Sequence, residues 1–255
     1  MINLQMFPAM GSDYRSRAQM VRVITEAWAE LNLYCPACVS DKLERAPDNT
    51  PAFDLSCSEC GQHFQLKSSR RWGQSKIVDA GYDAMLRAIR SDRVPNLVYM
   101  QYDGTWTVQN LLIVPYFFFT ESVVEQRKPL GPKARRAGWV GCNILIREIP
   151  IDGKLVVVQE GRVRPADEVR RGFDHLRGLS TVKGELRGWA LDVLRAVRNL
   201  NKSEFTLEDI YQSTSALQAL HPNNRNVQPK IRQQLQKLRD LNFLEFTSPS
   251  HYRIL

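Results

Sequence analysis

Two Cys-x-x-Cys steps, Cys35-Pro-Ala-Cys38 and Cys57-Ser-Glu-Cys60, stand 18 residues apart in a chain of 255 residues, and no other feature ties down the fold so tightly. Each step presents two sulfurs from one tight turn, and two such turns complete the tetrahedron that Zn²⁺ prefers in structural sites. The spacing predicts a structural zinc held by Cys35, Cys38, Cys57 and Cys60. Four thiolates leave no position open to water, so the ion staples rather than catalyses. An iron site or two disulfides would use the same residues. The N-terminal segment lacks a continuous apolar stretch and a small-residue cleavage site, and no run of about 18 apolar residues occurs anywhere. The expected location is therefore the cytoplasm, where thiols bind metal rather than pair. The fifth cysteine, Cys142, stands alone and is expected in the core.

Lys plus Arg outnumber Asp plus Glu by 35 to 27. That surplus favours a polyanionic partner, most simply nucleic acid, although an ordinary solvated surface can carry it too.

Apolar periodicity divides the chain in two. Residues 13–31 read as a helix with Met20, Val21, Ile24, Ala27, Trp28 and Leu31 on one stripe. After the second cysteine pair come an expected strand (63–67), a helix (78–91), strands at 96–103, 106–115, 139–146 and 154–161, and a polar helix over 165–177. This is a mixed α/β domain with a central sheet, expected over 1–182. Residues 178–184 read as a linker. From 183 to 255 the pattern is three helices and a closing hairpin, the order of a winged helix-turn-helix. Leu186, Trp189, Val193, Leu194 and Val197 stripe the first helix, and Thr206-x-x-Asp209 is a capping signature that opens the second. The third begins near Asn226, carries Pro229 in its first turn, and turns Ile231, Leu235 and Leu238 inward.

The strand that leaves the second knuckle carries the polar residues of interest. If Cys57-Ser-Glu-Cys60 is the turn of a hairpin, its midpoint between residues 59 and 60 sets Asp54 opposite Gln65. Gln65 and Lys67 share a face because side chains alternate along a strand, whereas Phe64 and Leu66 point away. A carboxylate, an amide oxygen and an amine then converge. Asp54 and Gln65 offer oxygens to a hard cation such as Mg²⁺, and Lys67 is placed to orient a water or neutralise phosphoryl charge. The alternative is a solvated strand face with a turn-adjacent acid. Glu26, on the first helix, either adds an acid to this site or is a surface charge.

Four segments taken together, 52–69, 126–144 and the SEFTLEDIYQ and KIRQQLQKLRD stretches of the C-terminal half, resemble the DpnI, Dam-replacing family of restriction endonucleases over nearly the whole chain. The resemblance implies a PD-(D/E)XK nuclease domain bearing a zinc-binding insertion, followed by a winged helix. It also implies Mg²⁺-dependent phosphodiester hydrolysis of duplex DNA at GATC carrying N6-methyladenine, with a methyl-sensing contact in each domain. Asp54 matches the family's metal-binding Asp and Lys67 its lysine, whereas Gln65 stands where the motif has Glu. A neutral ligand holds a cation less strongly than a carboxylate, which leaves a catalytically impaired methyl-DNA reader, or a nuclease of altered specificity, as the competing readings. Arg135, Arg136 and Trp139 combine phosphate-seeking guanidinium groups with a flat ring suited to a methylated N6, or else Trp139 is a core aromatic. On the third helix of the winged module, Lys230, Arg232, Gln233, Gln234 and Lys237 are the expected groove contacts, although an exposed polar helix face has the same composition without DNA. The four histidines show no paired spacing.

Overall fold

The computed structural model describes residues 2–47, 50–73 and 75–255. Helix α1 (Arg17–Asn32) buries Ile24, Ala27, Trp28 and Ala29, and the Trp28 indole donates to the Asn3 carbonyl at 2.7 Å, which ties the N-terminal segment down. Leu31, expected on the apolar stripe, is 66 % exposed. Beyond Trp28 the inward positions are taken by Ala29 and Leu33, and Leu31 falls on the outer face.

Strands β1 (Glu44–Arg45), β2 (Leu55–Ser56) and β3 (His63–Ser69) follow the helix. The expected helix over 78–91 is instead strand β4 (Ile77–Gly81) followed by a shorter helix α2 (Tyr82–Arg90). Only Met85 and Ile89 keep the helical spacing, while Ile77 lies opposite Ile144 in a β-pair. Next come β5 (Asn96–Tyr102), β6 (Val108–Val114), β7 (Val124–Gln126), β8 (Gly141–Ile144), β9 (Leu155–Gln159), β10 (Arg162–Val163) and α3 (Ala166–Leu176). The large sheet has the order β1-β2-β3-β5-β6-β9-β10, and β4-β8-β7 form a small one. Within the large sheet only β3 and β5 run parallel, joined by a crossover that holds β4 and α2.

Alternate residues of β5 define the two sides of the large sheet. Val98 and Met100 face a core with Ile24, Trp28, Phe64 and Val169, under α1 and α3. Leu97 and Tyr99 face a second core with the small sheet and Phe117, Phe118 and Phe119. Cys142 is fully buried in that second core, as expected for a lone thiol.

The second core continues into the C-terminal module, which consists of α4 (Gly184–Asn199), β11 (Glu204–Thr206), α5 (Leu207–Tyr211), α6 (Thr214–Leu220), α7 (Val227–Asp240), β12 (Leu244–Ser248) and β13 (His251–Ile254). Residues 178–184 are not a loose linker. Leu179 and Val182 are buried, the former within a 3-10 turn, and a Cβ on Gly178 would clash with Leu241 at 2.8 Å. Ion pairs of Arg187 with Asp92, Arg195 with Glu148 and Arg198 with Asp152 cross between the halves, and the Ser122 hydroxyl donates to Asp192 at 2.8 Å. Thr206 forms the expected capping box with Asp209, but the helix it opens breaks at Gln212 and Ser213 into α5 and α6. The hairpin gains β11 as a third strand, in the order β11-β13-β12. No helix among the described residues is long and apolar enough to cross a membrane.

Candidate metal centre, active-site cleft and DNA-binding surfaces

The four knuckle cysteines come together as a cluster whose sulfurs all lie within 4.8 Å of one another. Cys35 Sγ is 3.6 Å from Cys60 Sγ, and Cys38 Sγ is 3.5 Å from Cys57 Sγ. Those separations are too long for disulfides and close to the edge, about 3.8 Å, of a tetrahedron with Zn–S bonds of about 2.3 Å. The donor set therefore fits a zinc ion. Burial raises the Cys57 thiol, but backbone N–H groups of Cys60 and Glu59 and the neighbouring cysteines outweigh it and hold the pKa down to about 7. Burial instead raises the Cys35 and Cys60 thiols, so a bound metal would be needed to hold those two as thiolates. Helix α3 and the 3-10 turn after it brace the first knuckle: the Arg170 guanidinium donates to the carbonyls of Cys35, Val39 and Ser40, and Arg177 donates to that of Ala37.

The second knuckle turns the chain into the β2–β3 pair. Leu55 lies opposite Phe64 and Ser56 opposite His63, and the amide of Asp54, just outside β2, donates to the Phe64 carbonyl at 2.9 Å, which brings Asp54 beside Gln65. β2 ends there, whereas β3 runs on to Ser69 beside β5. The edge of β3 is consequently open from Gln65 onward, and the Leu66 N–H, which β2 would otherwise engage, donates to Asp54 Oδ2 at 2.7 Å. At this open edge lies a cleft of about 810 Å³, lined by Asp54, Gln65, Leu66, Lys67 and Ser68 from the strands and by Arg17, Val21, Arg22, Thr25 and Glu26 from α1.

Glu26 is not a surface charge. It is 5 % exposed and paired with Arg22 at 3.2 Å and Arg45 at 3.1 Å. Burial pushes its carboxyl pKa up, Arg22 opposes that shift, and the negative charge of Asp54 adds to it. Two carboxylates that influence each other and the Gln65 amide line the same cleft and offer oxygen donors of the kind a hard divalent cation takes, whereas the Lys67 ammonium beside them is a positive charge and not a ligand. Lys67 Nζ lies 2.7 Å from Asp79 Oδ1 on β4, whose side chain is 4 % exposed.

The loop between β7 and β8 carries Arg135 and Arg136, both exposed, and Trp139, half-buried. Mutual backbone hydrogen bonds close its base, Leu130 N–H to Trp139 O and Gly138 N–H to Leu130 O, each at 2.9 Å. The Trp139 ring lies over glycines of the small sheet, since a Cβ at Gly141 would meet it at 2.8 Å and one at Gly81 at 3.5 Å. The Arg136 guanidinium covers the ring at 4.4 Å from its centroid. On α7, Arg232 and Gln233 are exposed, while Lys230 and Lys237 are half-buried. Gln234, expected on the same outward face, is only 2 % exposed and sits between the buried Ile231 and Leu235, so it is not presented to a partner.

Residues 2–182 match the family model of the Dam-replacing family, and residues 185–254 match that of the Dam-replacing HTH domain. The chain belongs to the Dam-replacing family. Membership implies a methyl-dependent restriction endonuclease with DNA as its partner, and it accounts for the HTH module as a DNA-binding unit. In this Dam-replacing protein, sequence reasoning missed Asp79, whose carboxylate pairs with Lys67 of the cleft, because the local pattern predicts a helix where β4 lies. Its one visible signal was an acid in a short β-branched run, Ile77-Val78-Asp79, ahead of a glycine. Arg170 was missed as well, since nothing in a polar helix announces a clamp on a knuckle 135 residues earlier.

Proposed function

We propose that the protein hydrolyses a phosphodiester bond of duplex DNA at GATC carrying N6-methyladenine, as a Mg²⁺-dependent type II endonuclease with a structural zinc. Residues 1–182 are the PD-(D/E)XK nuclease domain and 183–255 the winged-helix DNA-binding domain. The observation that carries this reading is the convergence of Asp54, Gln65 and Lys67 on one cleft where β3 outruns β2.

Water attacks the scissile phosphorus in line and displaces a sugar oxygen. Lys67 orients that water or neutralises charge developing on the phosphoryl oxygens. Asp54 and Gln65, with Glu26 beside them, are the residues that would hold the cation; when bound, it polarises the phosphate and activates water. The Leu66 N–H fixes one oxygen of Asp54, which reduces the reorganisation needed on binding. Trp139 offers an apolar wall to the N6-methyl group, and Arg135 and Arg136 hold the backbone nearby. In the winged helix, Arg232 and Gln233 are the exposed residues suited to base edges, flanked by Lys230 and Lys237 for phosphate.

Gln65 supports a second reading, a methyl-DNA reader with an impaired nuclease site. Incubating the protein with methylated GATC duplex in Mg²⁺, and separately in Mn²⁺, distinguishes the two. Tight binding with intact DNA in both metals would rule out the nuclease.

A further inference from the structure

The strongest unassigned group in the molecule is Asp79. Its carboxylate is almost completely withdrawn from water, and the Lys67 ammonium stands 2.7 Å away. The pairing crosses between sheets. Lys67 lies on β3 of the large sheet opposite Tyr99 of β5, and Asp79 lies on β4 of the small sheet. A buried carboxylate is costly unless a charge offsets it; the ammonium does so here as an ion pair, with Asp79 Oδ1 otherwise without a hydrogen-bond partner, so the pair holds the lysine head on this side of β3. β4 is anchored in turn: Ile77 and Val78 pair with β8, and Gly81, two residues beyond Asp79, lies against the Trp139 ring.

We propose that Asp79 is the positioning residue for Lys67, holding the ammonium at the cleft from the strand that also seats the Trp139 loop. This rests on the nuclease reading for what Lys67 does, but not for where Lys67 is held. Asp79 acts on the reaction through the lysine and touches neither DNA nor the cation. A guanidinium or ammonium on a flexible stem loses its effect when it is misplaced by about an ångström, which can cost roughly a hundredfold in rate. Lys67→Ala alone is a poor probe, because it leaves Asp79 buried without its counter-charge. The informative change neutralises the acid and keeps an oxygen acceptor.

The test compares wild type, Asp79→Asn and Asp79→Glu as full chains, with enzyme in excess over methylated duplex. In that regime the rate constant at saturating enzyme reports the chemical step of the folded protein, and the thermal midpoint of each variant reports any folding defect separately. Asp79→Asn is expected to reduce the rate constant by roughly a hundredfold, with DNA affinity within about twofold of wild type. Asp79→Glu is expected to recover part of the rate. An Asp79→Asn rate constant equal to wild type overturns the proposal. If the wild type cuts no duplex, the nuclease reading falls separately, and positioning is then read from Lys67 itself. Brief reductive methylation followed by mass spectrometry should label Lys67 more in Asp79→Asn than in wild type, and equal labelling overturns the proposal.

Discussion

Asp54 and Leu66 are joined by a 2.7 Å hydrogen bond from the Leu66 backbone N–H to Asp54 Oδ2, so the carboxylate is pinned between Gln65 and Lys67 along the open edge of β3. The contact separates the structural from the chemical role of the acid. Asp54→Asn keeps an oxygen for the Leu66 N–H and removes only charge. It is expected to leave the thermal midpoint nearly unchanged and to lower single-turnover cleavage by roughly a hundredfold or more. A variant that cuts at the wild-type rate would place the cation elsewhere.

Gln65 supplies an amide where the family motif supplies a carboxylate, so restoring the acid has a definite sign. Gln65→Glu is expected to lower the Mg²⁺ concentration for half-maximal cleavage by about tenfold, the equivalent of about 1.4 kcal/mol. Metal titration of the cleavage rate measures it. A requirement for more Mg²⁺ would mean that Glu26 and Asp54 already fill the charge the site tolerates.

How far the sequence foretold this site depends on the range of the forces involved. The hairpin register that pairs Leu55 with Phe64 was legible, because a knuckle of fixed length fixes where both strands begin and the side-chain period of two does the rest. The winged module was legible from its helical stripes and capping box. What could not be read was set by distant packing. β4 is a strand because β8, some 60 residues later, pairs with it, and a local helical pattern in Met85 and Ile89 masked that. Glu26 could be read either as an acid of the site or as a surface charge, because its partner Arg45 comes from β1. Gln234 looked exposed by composition, yet the packing of α7 between the apolar positions on either side of it takes it inside.

The cysteine cluster predicts one zinc per chain, measurable by elemental analysis of protein purified without added metal. Cys57→Ala, or prolonged chelation, removes the ion and unties the hairpin that presents Asp54 and Gln65. A loss of about 3 kcal/mol corresponds to a fall of roughly 6–12 °C in Tm for a domain of this size. Unchanged Tm and stoichiometry in Cys57→Ala would exclude a structural metal at this position.

Asp209 gives the winged module a defined acid response. A hydrogen bond from the Lys202 ammonium is the largest cause that holds its pKa down to about 2 from the ordinary 3.8, followed by the backbone N–H and hydroxyl of Thr206. A depressed carboxylate contributes stability that is complete above the unfolded value and is lost as pH falls through the folded one. Asp209→Asn should therefore be less stable than wild type at neutral pH, and the gap should close between about pH 4 and pH 2. Chemical denaturation at several pH values measures it; a gap independent of pH would mean that the capping box, not the charge, carries the effect.

In the proposed function one chain both senses adenine methylation and cuts DNA. Cleavage rates on two duplexes of identical sequence, one with N6-methyladenine in both strands of GATC and one without, test it most directly in a Mg²⁺ buffer. The methylated duplex is expected to be cut rapidly and the unmethylated one at a rate lower by roughly a hundredfold. Equal rates on the two, or no cutting of either, would contradict it.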